Sequence, residues 1–185
     1  MAPAFALDPT LAHLCAAVLA IIFLIGAGQK LQDIAMFAAA LEQYRLLPQS
    51  LTAVAAWALV AAELAAAVLL LPLSTRSLGA LLAGGVLAVV TLAVVVNLLR
   101  GRSAIDCGCG GPEGSQHLSW ALVWRNAGLG LLAVVAAVAA TPRALVWLDQ
   151  VTVLAGALAL YGLYAAANQL LANQPRLQKL KGSIQ

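Results

Sequence analysis

Charge is what this 185-residue chain has least of: only 9% of its residues are Asp, Glu, Lys or Arg, and only 5% are aromatic. Soluble domains carry about 25% charge and about 45–50% apolar residues, whereas 63% of this chain is hydrophobic. So little charge excludes a water-exposed globular surface. The net charge of +3 is too small and too scattered for a nucleic-acid face, and it reads as charge flanking a membrane. The first ten residues, MAPAFALDPT, lack the basic n-region of a cleavable leader, so the first apolar run is expected to be a retained helix. Cysteine is scarce as well, with three in all. There is no internal repeat and no low-complexity linker, and residues 1–185 read as one membrane domain.

What is present is a series of apolar runs. Five segments approach the ~20 residues needed to cross a hydrocarbon core: 11–28, 51–73, 78–99, 118–140 and 145–171. Segments of this length imply helices, which satisfy every backbone group within lipid. The expected fold class is an all-α integral membrane bundle of four core helices with a fifth beside them. Residues 31–45 place Leu31, Ile34, Phe37, Ala38 and Leu41 at helical spacing. They fit an amphipathic helix at the interface, and equally an extension of the first span. The link 74–77 is tight enough for a hairpin. The loop 100–117 is long, polar and rich in glycine, and the tail 173–185 is expected to be solvated and frayed.

Five spans put the ends of the chain on opposite sides. Lys30, Arg45, Arg100, Arg102, Arg176, Lys179 and Lys181 share one side, and only Arg76 and Arg143 lie on the other. The positive-inside tendency makes the first side, with the loop 100–117, cytoplasmic.

The reactive feature is Cys107-Gly108-Cys109, within Asp106-Cys-Gly-Cys-Gly-Gly-Pro. Glycines at 108, 110 and 111 free the backbone to bring the two thiols together. A disulfide over so short a span is strained, hence easily reduced and suited to exchange. The residues leave three readings open: a redox dithiol, half of a metal site completed by Asp106 or His117, or two inert loop cysteines. Arg100 and Arg102 would favour thiolate and Asp106 would oppose it. His117 is a proton shuttle or an interfacial anchor. Cys15, inside the first span, reads as a small apolar filler.

Glu63 and Arg125 fall within spans, where charge normally faces the bundle interior and a partner. At 1.5 Å per residue they lie about 18 Å and about 10 Å from the shared side, a gap an arginine side chain can bridge. The expectation is a Glu63–Arg125 ion pair with Asn126 and Asn97 nearby. It would serve as a clamp between spans two and four, or as the lining of a quinone or proton site.

These residues resemble a known family. Gly28, Lys30-Leu31-x-Asp33, Tyr44-Arg45-Leu46-Leu47-Pro48, Glu63, Asp106-Cys107-Gly108-Cys109-Gly110, Leu118-Ser119-Trp120 and Arg125-Asn126 are similar to the methylamine-utilisation MauE family, within the wider DoxX-like membrane proteins. The resemblance extends from about residue 15 to residue 135. Gly111 stands where the family often has an aromatic. It implies a bacterial inner-membrane protein that assists maturation of the exported, disulfide-rich methylamine dehydrogenase small subunit, with thioredoxin-like MauD as exchange partner. The layout also looks like the quinone-linked disulfide-forming proteins DsbB and vitamin K epoxide reductase, which makes quinone the cofactor to consider. The alternative is a non-catalytic scaffold that recruits MauD and the immature subunit. An exported client calls for a periplasmic loop, against the charge bias.

Overall fold

The computed structural model describes residues 7–108, 116–138 and 143–182, with side chains through Asn173. Among them are six helices: α1 (Pro9–Gln32), α2 (Ile34–Gln43), α3 (Gln49–Leu70), α4 (Arg76–Leu99), α5 (Trp120–Ala137) and α6 (Trp147–Gly182). All but α2 are long and apolar enough to cross a membrane. The chain is an all-α multi-pass membrane protein. The segment 139–142, which includes the expected end of the fourth span, lies outside the described residues.

Local chemistry explains the helix ends. Asp8 caps α1 by accepting from Thr10 N at 2.8 Å, and Pro9 occupies the first turn, where a missing N–H costs nothing. Asp33 ends α1 with φ −145° and then caps α2, its carboxylate accepting from Met36 N at 2.8 Å. One acidic residue thus divides the two helices. The first span does continue past Gly28, to Gln32, and the amphipathic segment is nonetheless a separate ten-residue helix. At the hairpin after α3, Thr75 Oγ1 donates to Leu69 O at 2.9 Å and Arg76 Nε to Leu70 O at 3.5 Å. These side chains serve carbonyls that have no intrahelical partner. Gly79 is required here: a Cβ would sit 2.6 Å from the Leu69 and Leu70 backbone.

α1 packs against α3, α5 and α6, and α4 packs against α3 and α5. The four core helices therefore close in the order α1–α3–α4–α5, with α3 and α5 on a diagonal. α6 lies outside, against α1. Its start is fastened to the start of α1 by Arg143, which bonds Asp8, Thr10 and Asp149. The main core joins α1, α3, α4 and α5 around Leu19, Phe23, Ala67, Leu70, Ala83 and Leu129. α6 is helical to Gly182, so residues 173–182 of the polar tail belong to the last helix.

Candidate functional site

The loop after α4 is built as a short two-stranded ladder. Asp106 and His117 form an antiparallel bridge, flanked by Cys107 N donating to Gln116 O at 2.8 Å and Leu118 N to Ile105 O at 3.1 Å. In antiparallel pairing, opposed residues share a face and successive residues alternate. Ile105, Cys107, Gln116 and Leu118 thus fall on one face, and all four are buried. Asp106 and His117 fall on the other, where His117 is exposed. Cys109 and residues 110–115 lie outside the described residues.

The buried face rests on the bundle. Cys107, Ile105 and Leu118 pack with Tyr44, Val94 and Leu122, which come from the end of α2, from α4 and from α5. Tyr44 Oη donates to Cys107 O at 3.3 Å. Arg102 ties the base of the loop to the same place. Its guanidinium donates to Asn97 Oδ1 at 3.3 Å, Tyr44 O at 3.4 Å and Gln43 O at 3.0 Å. Gly108 adopts φ +71°, and a Cβ there would meet the Phe37 ring at 3.1 Å and Ala40 at 3.3 Å. Asp106 Oδ1 accepts from Gly108 N at 3.0 Å and fixes that turn. Glycine is therefore needed at 108 for both its dihedral and its seat on α2.

Gln116 is 2% exposed, yet neither its Nε2 nor its Oε1 has a hydrogen-bond partner among the described residues. An uncompensated buried polar group costs roughly 1–3 kcal/mol, so such a residue calls for an explanation.

The intramembrane charges pair differently from expectation. Lys30 Nζ lies 2.8 Å from both Glu63 carboxylate oxygens, with the two side chains only 12% and 11% exposed. The same ammonium approaches Gly26 O at 3.5 Å and lies 5.5 Å from the centre of the Phe37 ring. The Glu63–Arg125 pair is thereby corrected. Glu63 is on α3 and Arg125 on α5, and α1 and α4 separate these diagonal helices, whereas α1 carries Lys30 directly past Glu63. Arg125 reaches outward instead. It donates to Asn168 Oδ1 at 2.6 Å and to Asn126 Oδ1 at 3.1 Å, and it lies 5.8 Å from the Tyr164 ring centre. Asn126 Nδ2 passes the network to Thr91 Oγ1 at 3.1 Å. Asn97 belongs to Arg102, not to this network.

Arg102 spends its contacts on the ends of α2 and α4 around it, which makes it a strut of the loop. Cys15 lies in the main core, in a different cluster from Cys107, as a packing residue would. No group of three or more His, Cys, Asp or Glu side chains that could hold a metal occurs among the described residues. The reading of residues in order missed the Phe37–Ala40 seat, the partners Asn168, Tyr164 and Thr91, and Gln116. Only the alternation around 105–107 and 116–118 could have pointed to Gln116.

Residues 8–141 match the family model described as "Methylamine utilisation protein MauE". The chain is 37% identical over 130 residues to "Methylamine utilization protein MauE" of Paracoccus denitrificans, covering 69% of this chain and 70% of that one. It is 33% identical over 181 residues to the protein of that name from Methylophilus methylotrophus, covering 95% of each. No solved structure matches.

Proposed function

The chain belongs to the MauE family and thus to methylamine utilisation, and from that premise we propose that it is a membrane thiol–disulfide relay working through Cys107 and Cys109. Its client in this reading is the exported methylamine dehydrogenase small subunit, and its exchange partner is the thioredoxin-like MauD. A thiolate of one partner attacks the Cys107–Cys109 disulfide and forms a mixed disulfide. The partner's second thiol then displaces it. The partner leaves as a disulfide, and Cys107 and Cys109 are left as a dithiol carrying the two electrons and two protons. Exchange with the disulfide of the other partner reverses these steps and restores the pair.

The observation that supports this reading is the seating of Cys107. Its residue is 6% exposed, its amide is in the ladder, its carbonyl accepts from Tyr44, and the glycine after it is locked on α2. That burial suits an inner, resolving sulfur and leaves Cys109 to meet partners. Glu63 with Lys30, and Arg125 with Asn126, hold the helices that carry the seat. Asp106 shapes the turn, and exposed His117 is placed to take up protons released in exchange. Quinone remains the candidate oxidant of the pair, with no residue assigned to it. We place the protein in the bacterial inner membrane with the loop toward the exported client.

The double variant Cys107→Ser, Cys109→Ser tests the chemistry. It should assemble in the membrane and abolish maturation of the small subunit. Maturation at the parental level would end the relay reading and leave a scaffold that recruits MauD and the immature subunit. Labelling of intact cells with a membrane-impermeant thiol reagent measures the face: modification is expected, and protection until the membrane is permeabilised would reverse the orientation.

A further inference from the structure

We propose that Gln116 is a positioning residue for the Cys107 sulfur, its side-chain amide being the hydrogen-bond donor for the thiolate that reduced Cys107 forms when it loses its proton for exchange. The inference rests on the relay reading for its purpose, but its geometry is independent of it. Cys107 and Gln116 are opposed across the ladder, with Cys107 N on Gln116 O at 2.8 Å. Opposed residues direct their side chains to one face with Cβ atoms about 4.5–5.5 Å apart. Here that face is closed by Ile105, Leu118, Leu122 and Tyr44. Neither polar atom of the Gln116 side chain finds a partner among the described residues, although the residue is 2% exposed. A glutamine amide carries two N–H donors. Burial in apolar surroundings opposes thiolate, and a donor on the same face offsets that cost.

Among the described residues, the charged and titratable groups around this face have other attachments. Arg102 bonds Asn97, Tyr44 and Gln43. The Tyr44 hydroxyl bonds Cys107 O, and Asp106 bonds Gly108 N. Lys30 and Glu63 pair with each other beyond Phe37, and His117 is on the opposite face of the ladder. A change at 116 alters none of them.

The test uses the full chain in lipid nanodiscs, in a Cys109→Ser background that keeps Cys107 as a single loop thiol. The rate of Cys107 alkylation by iodoacetamide is followed against pH by mass spectrometry. Gln116→Met keeps length and removes both polar atoms. It should raise the midpoint by about one pH unit and slow alkylation at neutral pH about tenfold, the size expected for one charge-assisted hydrogen bond. The thermal midpoint should hold or rise, because an orphaned amide is gone. Gln116→Leu should act alike and carries the test if the methionine variant is not recovered. An unchanged pH midpoint in either variant overturns the proposal. Loss of the relay reading would not move this midpoint, so the two fail separately.

Discussion

At the end of the bundle where α1 and α6 begin, Arg143 bonds Asp8, Thr10 and Asp149 in contact with solvent. At the end where the cysteine loop sits, Lys30 and Glu63 pair in near-complete burial, Tyr44 and Arg102 hold the loop from within, and the buried Gln116 amide has no partner among the described residues. The first cluster satisfies itself and has water beside it, so it can be altered cheaply. The second is closed off, so every polar group in it is either matched or costly. An end built only for anchorage has no need of that arrangement. A buried cysteine opposed across the ladder by a buried glutamine suits a group that changes state.

The largest contrast should come from the buried ion pair. Glu63→Leu strands Lys30 in an apolar setting and should cost about 3–5 kcal/mol, read as a lowered unfolding midpoint in detergent. The double variant Lys30→Met, Glu63→Leu should recover most of that loss; no recovery would show that the pair does more than neutralise its own burial. Next in size is Gly108→Ala. The positive φ costs about 1–2 kcal/mol, and the new methyl meets Phe37 and Ala40. The loop should lift from α2 and Cys107 should alkylate several-fold faster, while the bundle unfolds near its original midpoint. Asn126→Leu comes third. It removes one of the acceptors of Arg125 and the donor to Thr91, and should cost about 1–3 kcal/mol by the same thermal readout.

The smallest effect is expected at the solvent end. Arg143→Ala should shift the unfolding midpoint only slightly, and added salt should erase the difference. This cluster also has a direction in pH. Hydrogen bonds from Thr10 and the Arg143 guanidinium hold the Asp8 carboxyl below its ordinary range, while hydrogen bonds to Asp149 and then Asp8 push the Arg143 pKa up. A carboxyl depressed by folding stabilises above the unfolded value of about 4 and loses that contribution as pH falls through its folded value. The difference between parent and Arg143→Ala should therefore shrink in acid, seen in paired melts near neutrality and below pH 4.

Membrane insertion, the five spans and the cysteine loop were legible in residue order because they depend on local runs. A stretch of twenty apolar residues is helical in lipid wherever its neighbours lie, and Gly108, at φ +71°, turns the chain by its own dihedral freedom. The pairing of Glu63 was not legible. Depth along a helix follows from counting residues, but which helix stands beside which does not. With α3 and α5 diagonal, Arg125 was the wrong partner, and Lys30 became the right one because α1 continues to Gln32.

The amino-acid order by itself thus determined that this is a helical membrane protein with one thiol-bearing loop, since hydrophobic length and glycine placement are properties of the chain. Only the tertiary structure decided which charges meet, that α2 forms the seat of the loop, and that Gln116 stands across from Cys107. Those relations arise between segments distant in sequence, and packing selects them by burying polar groups from those segments together.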